Sequence, residues 1–330
     1  MRTDDRGRDL HVTCMPWDHL TMLRTGEVRP QGWNLWLECR DRVWDWREDP
    51  SYDAGELSFS RHLQALQQGD DSIVALPLFL MRSFRQRCIM VPKASSLRNL
   101  PDLAGKRIGV PGWADTGNTW TRALLREAGV GLDDVEWTVG LAFRGVAQTI
   151  HRDSVAVGVR FLESSQNIFE ELLDGHLDCI FYPFLPLDFH RPDYPLRHLF
   201  DDFVAEEQGY YRRVGYSPGL HLLGVRRTLL DRRPWLAQEL LDLFGRARRT
   251  WIEHRSYYAD STPWLQHDVE RSMSVFGGDW FVDGVEANRA MTADFCTELF
   301  EQHVVADRID PDRVFAGFEE FAQREVRWGA

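Results

Sequence analysis

Four short stretches hold side chains whose types and spacing can do chemistry. In "LMRSFRQRC" the residues Arg82, Arg85 and Arg87 follow the apolar run 73–81 on what reads as a turn. Guanidinium forks match carboxylates bidentately, so Arg82 and Arg85 can anchor a dicarboxylate; the alternative is that all three are solvated turn residues. In "VPGWADTGNTW" there is no Lys and no G-x-G-x-x-G, so a nucleotide is not signalled. A helix is expected to start near 115–118. Its free N–H groups and positive dipole end would let Thr116, Gly117, Asn118 and Thr119 receive a carboxylate or phenolate oxygen, an anion smaller than a nucleotide, with Gly112 and Gly117 allowing close backbone approach. Ordinary capping by Asp115, Thr116 or Asn118 explains the same residues. Trp113 and Trp120 can stack on an aromatic ring, although Trp120 shares helical spacing with Ala123 and Leu124 and fits a core position.

In "GELSFS" the residues Glu56, Ser58 and Ser60 alternate along one strand face and run into a helix, so the serines can bind hydroxyl groups or cap that helix. His221, in "SPGLHLLGV", has a side chain that titrates near working pH; a lone strand histidine is also a common hydrogen-bonded structural residue. Asp18 and Tyr182 stand at strand ends, where ligands collect in open α/β sheets. Metal chemistry is not signalled. No histidines pair at i, i+4 around a Glu, and "HLDC" is isolated. The five cysteines (Cys14, Cys39, Cys88, Cys179, Cys296) are scattered and never spaced C-x-x-C, which reads as buried, reduced thiols and not as a disulfide framework.

The elements that must position these groups are those of an α/β protein. The 330 residues favour two domains, and 43% hydrophobic with 27% charged residues is ordinary globular composition. Thirty-nine Lys plus Arg against 51 Asp plus Glu give a net charge of -12, which speaks against nucleic-acid and anionic-membrane partners. The start, "MRTDDRGRDLHV", lacks an apolar signal segment, and "IVALPLFLM" is too short to span a bilayer, so a cytoplasmic location is expected. Short β-rich runs alternate with helical patterns, predicting a largely parallel sheet. Leu236, Leu240, Leu243, Phe244 and Ala247 recur at helical spacing as one apolar stripe. A unit beginning at "NLPDLAGKRIGVPG" and closing near Pro186 suggests a second lobe (104–186) inserted into a first (10–103 plus 187–330), with a ligand cleft between them.

Four blocks, "ALPLFLMRSFRQRCIMV", "DLAGKRIGVPGWADTGNTWTRALLREAGV", "EEQGYYRRVGYSPGLHLLGVRR" and "FGGDWFVDGVEANR", resemble in order the bacterial 4,5-dihydroxyphthalate decarboxylase family. The likeness runs from about residue 52 onward. The N-terminal block, the loop "GWADTGNTW" and residues 141–163 depart from it. The resemblance implies a type 2 periplasmic-binding-protein-like fold and non-oxidative loss of CO2 from a small hydroxylated aromatic acid, such as a dihydroxyphthalate, with no organic cofactor. Direct loss of CO2 from an aryl ring would leave an unstabilised sp2 carbanion, so the ring carbon must be protonated first. That demands an acid, a base near the phenol and an anchor for carboxylate. In this setting His221 becomes the candidate for proton transfer, to the ring carbon or from the phenol; Glu56 is its partner base or its orienter, and Arg82 and Arg85 are the anchor. A solute-binding or sensing protein of the same fold is the competing reading, and transfer or isomerisation on another small acid a third. A homo-oligomer is left open.

Overall fold

The computed structural model describes residues 9–142, 158–278 and 280–329. Its strands in chain order are β1 (Leu10–Cys14), β2 (Leu35–Cys39), β3 (Ala54–Ser58), β4 (Ile73–Arg82), β5 (Ile89–Pro92), β6 (Arg107–Val110), β7 (Glu136–Val139), β8 (Arg160–Phe161), β9 (Cys179–Phe181), β10 (Leu196–His198) and β11 (Gly219–Arg226). The helices that matter below are α1 (Phe59–Gln67), α2 (Thr116–Glu127), α3 (Phe203–Val214), α4 (Leu236–Tyr257) and α5 (Arg289–Glu301). The chain divides into two units. Unit 1 holds the residues up to Arg82, Gly219–Thr292 and those from Asp310 on; unit 2 holds Ser83–Pro218 and Ala293–Ile309.

Unit 1 is built on a five-stranded sheet ordered β2-β1-β3-β11-β4. The pairs β1/β2 and β1/β3 are parallel, while β11 runs antiparallel to both β3 and β4. The first eight residues of β4 are all buried although it is an edge strand of the sheet, because it is apolar and covered on both faces. The predicted stripe Leu236, Leu240, Leu243, Phe244 and Ala247 on α4 joins Leu76, Leu78 and Leu80 of β4 in one core cluster, because a 3.6-residue repeat aims those side chains at the sheet.

Unit 2 carries a six-stranded sheet ordered β10-β5-β9-β6-β7-β8. Strands β9, β6, β7 and β8 are parallel to their neighbours in that run, and β5 is antiparallel to β9 and β10. Both sheets are therefore mixed, against the expectation of a largely parallel one. Strands buried on two faces show no alternation that would betray direction. The same long-range pairing moves the boundaries: β5 bonds to β9 and β10, so Ser83–Leu103 and the residues from 187 to Pro218 belong with unit 2 and not with the first lobe. Among the described residues no helix is long and apolar enough to cross a membrane. Of the divergent stretch 141–163, residues 143–157 lie outside the described residues.

Candidate functional site

In unit 1 the alternation along β3 puts Glu56 and Ser58 on one face, and β11 brings His221 directly opposite Ser58 and Leu223 opposite Glu56. Glu56 and His221 are thus diagonal neighbours, a spacing that long side chains bridge. Nδ1 of His221 lies 2.6 Å from Oε1 of Glu56. The other carboxyl oxygen, Oε2, accepts from the Met15 backbone N–H at 2.7 Å and from the Trp17 indole N–H at 3.0 Å. Three donors around one carboxyl group suit the acceptor-only chemistry of a carboxylate. Glu56 is only 2% exposed, whereas the His221 side chain keeps 20% exposure. With the Glu56 carboxylate accepting, the imidazole tautomer that donates from Nδ1 leaves Nε2 as an acceptor. The β4/β11 register shifts on both sides of His221, the kind of irregularity that re-aims a strand side chain.

In unit 2 the loop after β6 enters α2, with Asp115 at the N-cap position and no side-chain cap bond. Capping therefore does not account for the polar run. Among the described residues the N–H groups of Gly117 and Asn118 have no partner. Against this helix start lies Arg85, 1% exposed. Its Nη2 sits 2.7 Å from where a Cβ on Gly117 would be, which is why no side chain fits there. Nε donates to the Thr121 hydroxyl at 3.3 Å. The buried Nη1 has no partner, and no carboxylate within the described residues pairs with this guanidinium. Burial pulls the Arg85 pKa below the ordinary arginine range, with Glu207 and Asp115 only partly offsetting it. A buried cation at the positive end of a helix is doubly unfavourable until an anion joins it. Nearby, the Glu207 carboxyl on α3 accepts from the Arg87 backbone N–H at 3.4 Å, and burial raises its pKa to about 7.

Several expected site residues have other employment. Trp113 is 1% exposed. Its indole N–H donates to the Gln302 carbonyl at 3.0 Å, the Arg122 guanidinium covers the ring at 4.0 Å, and Trp137 meets it edge-on, so no face is left for a ligand ring. Trp120 packs on Phe295. The Asn118 amide donates to Gly112 O at 2.9 Å and the Thr119 hydroxyl to Asp115 O at 3.1 Å, so these two side chains hold the loop, and Thr116 is buried. Gly112 admits the Asp115 carboxylate rather than a ligand. Ser60 is fully buried in the first turn of α1 and accepts from the Gln64 amide at 3.2 Å. Ser58 occupies the N-cap of α1 without a side-chain cap bond.

The arginine pair also separates. Arg82 ends β4 in unit 1, where its guanidinium is bonded to Asn288 Oδ1 and donates to the Val282 carbonyl at 2.8 Å; Arg85 belongs to unit 2. Arg82 is thereby a clasp on the 282–288 loop. Asp18 is exposed and approaches Arg255 at 3.4 Å. Tyr182 packs on Phe169.

Sequence reading missed Trp17 and the Met15 N–H, although both follow β1 at a strand end where ligands collect. It also missed Arg122 and Gln302. Arg122 is wholly buried, donates from Nε to Gln302 Oε1 at 2.7 Å and from Nη2 to Trp113 O at 2.6 Å, and holds the loop before α2. No sequence signal links positions 180 residues apart. A cavity of about 670 Å³ opens elsewhere in unit 2, lined by Arg107, Trp137, Arg160, Glu171 and His176. Of the site groups described above, only Trp137 lines it. Among the described residues no three His, Cys, Asp or Glu side chains gather as metal ligands.

Two α/β units with mixed central sheets define a type 2 periplasmic-binding-protein-like fold. The periplasmic aliphatic sulphonate binding protein SsuA from Escherichia coli superposes with a TM-score of 0.55 over 93% of this chain and 96% of its own, at 13% identity. The profile of the NMT1/THI5-like family matches residues 59–183. By sequence the chain is similar to proteins named 4,5-dihydroxyphthalate decarboxylase. It is 28% identical over 282 residues to the 4,5-dihydroxyphthalate decarboxylase of Comamonas testosteroni, covering 82% of this chain and 84% of that one. To the Pseudomonas putida protein of the same name it is 30% identical over 173 residues, covering 50% of this chain and 66% of the relative.

Proposed function

We propose that the protein is a cofactor-independent decarboxylase of a hydroxylated aromatic acid, of the phthalate class named for its relatives. The observation that carries the reading is the Glu56–His221 pair at 2.6 Å, with Glu56 buried and His221 open to a second molecule. In its protonated form His221 gives the Nε2 proton to the ring carbon that bears the carboxylate, while Glu56 holds Nδ1–H and stabilises the imidazolium before transfer. Loss or sharing of a phenolic proton supplies electron density to that carbon. The C–C bond then breaks, CO2 leaves, and its electron pair restores the aromatic ring. Within unit 2, Arg85 and the first-turn N–H groups of α2 are a separate candidate for holding an anion, since a buried guanidinium without an acidic partner is compensated by a negative charge.

The test is CO2 release from a panel of hydroxyphthalates and hydroxybenzoates with pure, folded protein. Silence across the panel would sink the reading. The similarity to a sulphonate binding protein supports one competitor, a binder without chemistry. Such a protein would be protected against heat by the acid yet leave it unchanged.

A further inference from the structure

Cys14 and Cys39 are the last residues of β1 and β2 and face each other in the parallel register of that pair. Paired strands run about 4.8 Å apart, within the Cα separation that a disulfide spans. Both thiols are reduced in this structure. Their environments differ. Cys14 is 4% exposed, while Cys39 is half-buried on the edge strand and reachable from solvent.

We propose that Cys39 and Cys14 form a redox-active pair in which Cys39 attacks a peroxide and Cys14 resolves the product as an intramolecular disulfide. The neighbouring Cys14 thiol and the charge of Arg24 favour the Cys39 thiolate, lowering its pKa to about 7 against burial and the opposing charges of Glu56 and Glu38, and the neighbouring Cys39 together with burial pushes Cys14 the other way. The accessible thiol is thus the nucleophile and the buried one the resolver. The Cys39 thiolate attacks one oxygen of hydrogen peroxide, the O–O bond breaks, and a sulfenic acid and hydroxide result, the hydroxide becoming water with the proton that the Cys39 thiol had released. The Cys14 sulfur then displaces the hydroxyl group: the S–S bond forms, the S–O bond breaks, and the Cys14 proton leaves with the hydroxyl as a second water. Two thiols lose two electrons and one peroxide gains them. Cys14 immediately precedes Met15, whose N–H binds Glu56, so the disulfide would form beside the candidate proton-transfer pair.

The experiment treats the full-length protein with hydrogen peroxide, alkylates the remaining thiols under denaturing conditions, and maps peptides by mass. Expected are loss of two of the five thiols, a Cys14–Cys39 linked peptide 2 Da lighter than its parts, and full reversal by dithiothreitol. Cys39→Ser should abolish the link, and Cys14→Ala should leave Cys39 to accumulate as sulfenic or sulfinic acid. Cys14→Ala should also move the pH midpoint of Cys39 alkylation upward, a readout that needs no oxidant. Oxidation of wild-type Cys39 straight to sulfinic acid, a link to another cysteine, or no loss of thiols would overturn the proposal. None of these outcomes depends on whether the protein is a decarboxylase.

Discussion

Glu56 in unit 1 and Arg85 in unit 2 are both buried charged groups, and their surroundings are opposite. Glu56 is enclosed by three donors, one of them the imidazole it orients. Arg85 has one hydroxyl, an unpartnered Nη1 and a helix N-terminus against it. The first arrangement is complete within the protein and exports its chemistry through one free ring nitrogen. The second is incomplete, and what it lacks is negative charge. The contrast separates two capacities, moving a proton and holding an anion. It also assigns each to a different kind of local structure: an irregular strand pair that aims a side chain, and a helix start that presents backbone N–H groups.

The largest effect should come from breaking the complete arrangement. His221→Asn keeps size and one donor but cannot exchange a proton, so turnover should fall by roughly 10² to 10⁴ while substrate affinity changes little. Steady-state kinetics with calorimetric binding would check this; retention of more than about a tenth of wild-type turnover would move the proton source away from His221. Next is Arg85→Met, which should weaken binding of the aromatic acid by about 2 to 4 kcal/mol. The thermal midpoint of the ligand-free protein should stay the same or rise, because an unpaired buried cation is gone. Arg85→Lys should recover only part of the affinity, lacking the fork. A ligand-free protein clearly destabilised by Arg85→Met would show that this charge already has its partner.

Gly117→Ala tests the same cradle more gently. Its Cβ would lie 2.7 Å from Arg85 Nη2, and that guanidinium is too buried to swing aside. A loss of about 1 to 3 kcal/mol in denaturant unfolding is expected, together with weaker anion binding. An unchanged midpoint would mean that Arg85 moves freely. The smallest effect concerns Glu207, whose folded pKa is raised from 4.5 to about 7 by burial. The folded state then holds the proton more tightly than the unfolded one, so this group makes stability fall as pH rises between those values. Thermal midpoints from pH 4.5 to 7.5 should show that slope, and Glu207→Gln should flatten it. A slope that persists in the variant belongs to other groups.

The sequence by itself determined what local periodicity and residue chemistry can carry. The α4 stripe, the apolar β4, the shared face of Glu56 and Ser58 and the helix start at 115–116 all follow from repeats of 3.6 or 2 and from Gly, Pro and Asp placement. So did the choice of His221, Glu56 and Arg85 as groups worth watching. Tertiary structure alone decided how those groups are used. Whether Arg82 is an anchor or a clasp depends on Asn288, some 200 residues away, and whether Trp113 offers a ring face depends on Arg122 and Trp137. The unit boundaries turned on β5 pairing with β9 and β10. In each case a buried polar or apolar group is satisfied by a partner distant in the chain, and a local pattern records the need for burial or for a partner without recording which residue will meet it.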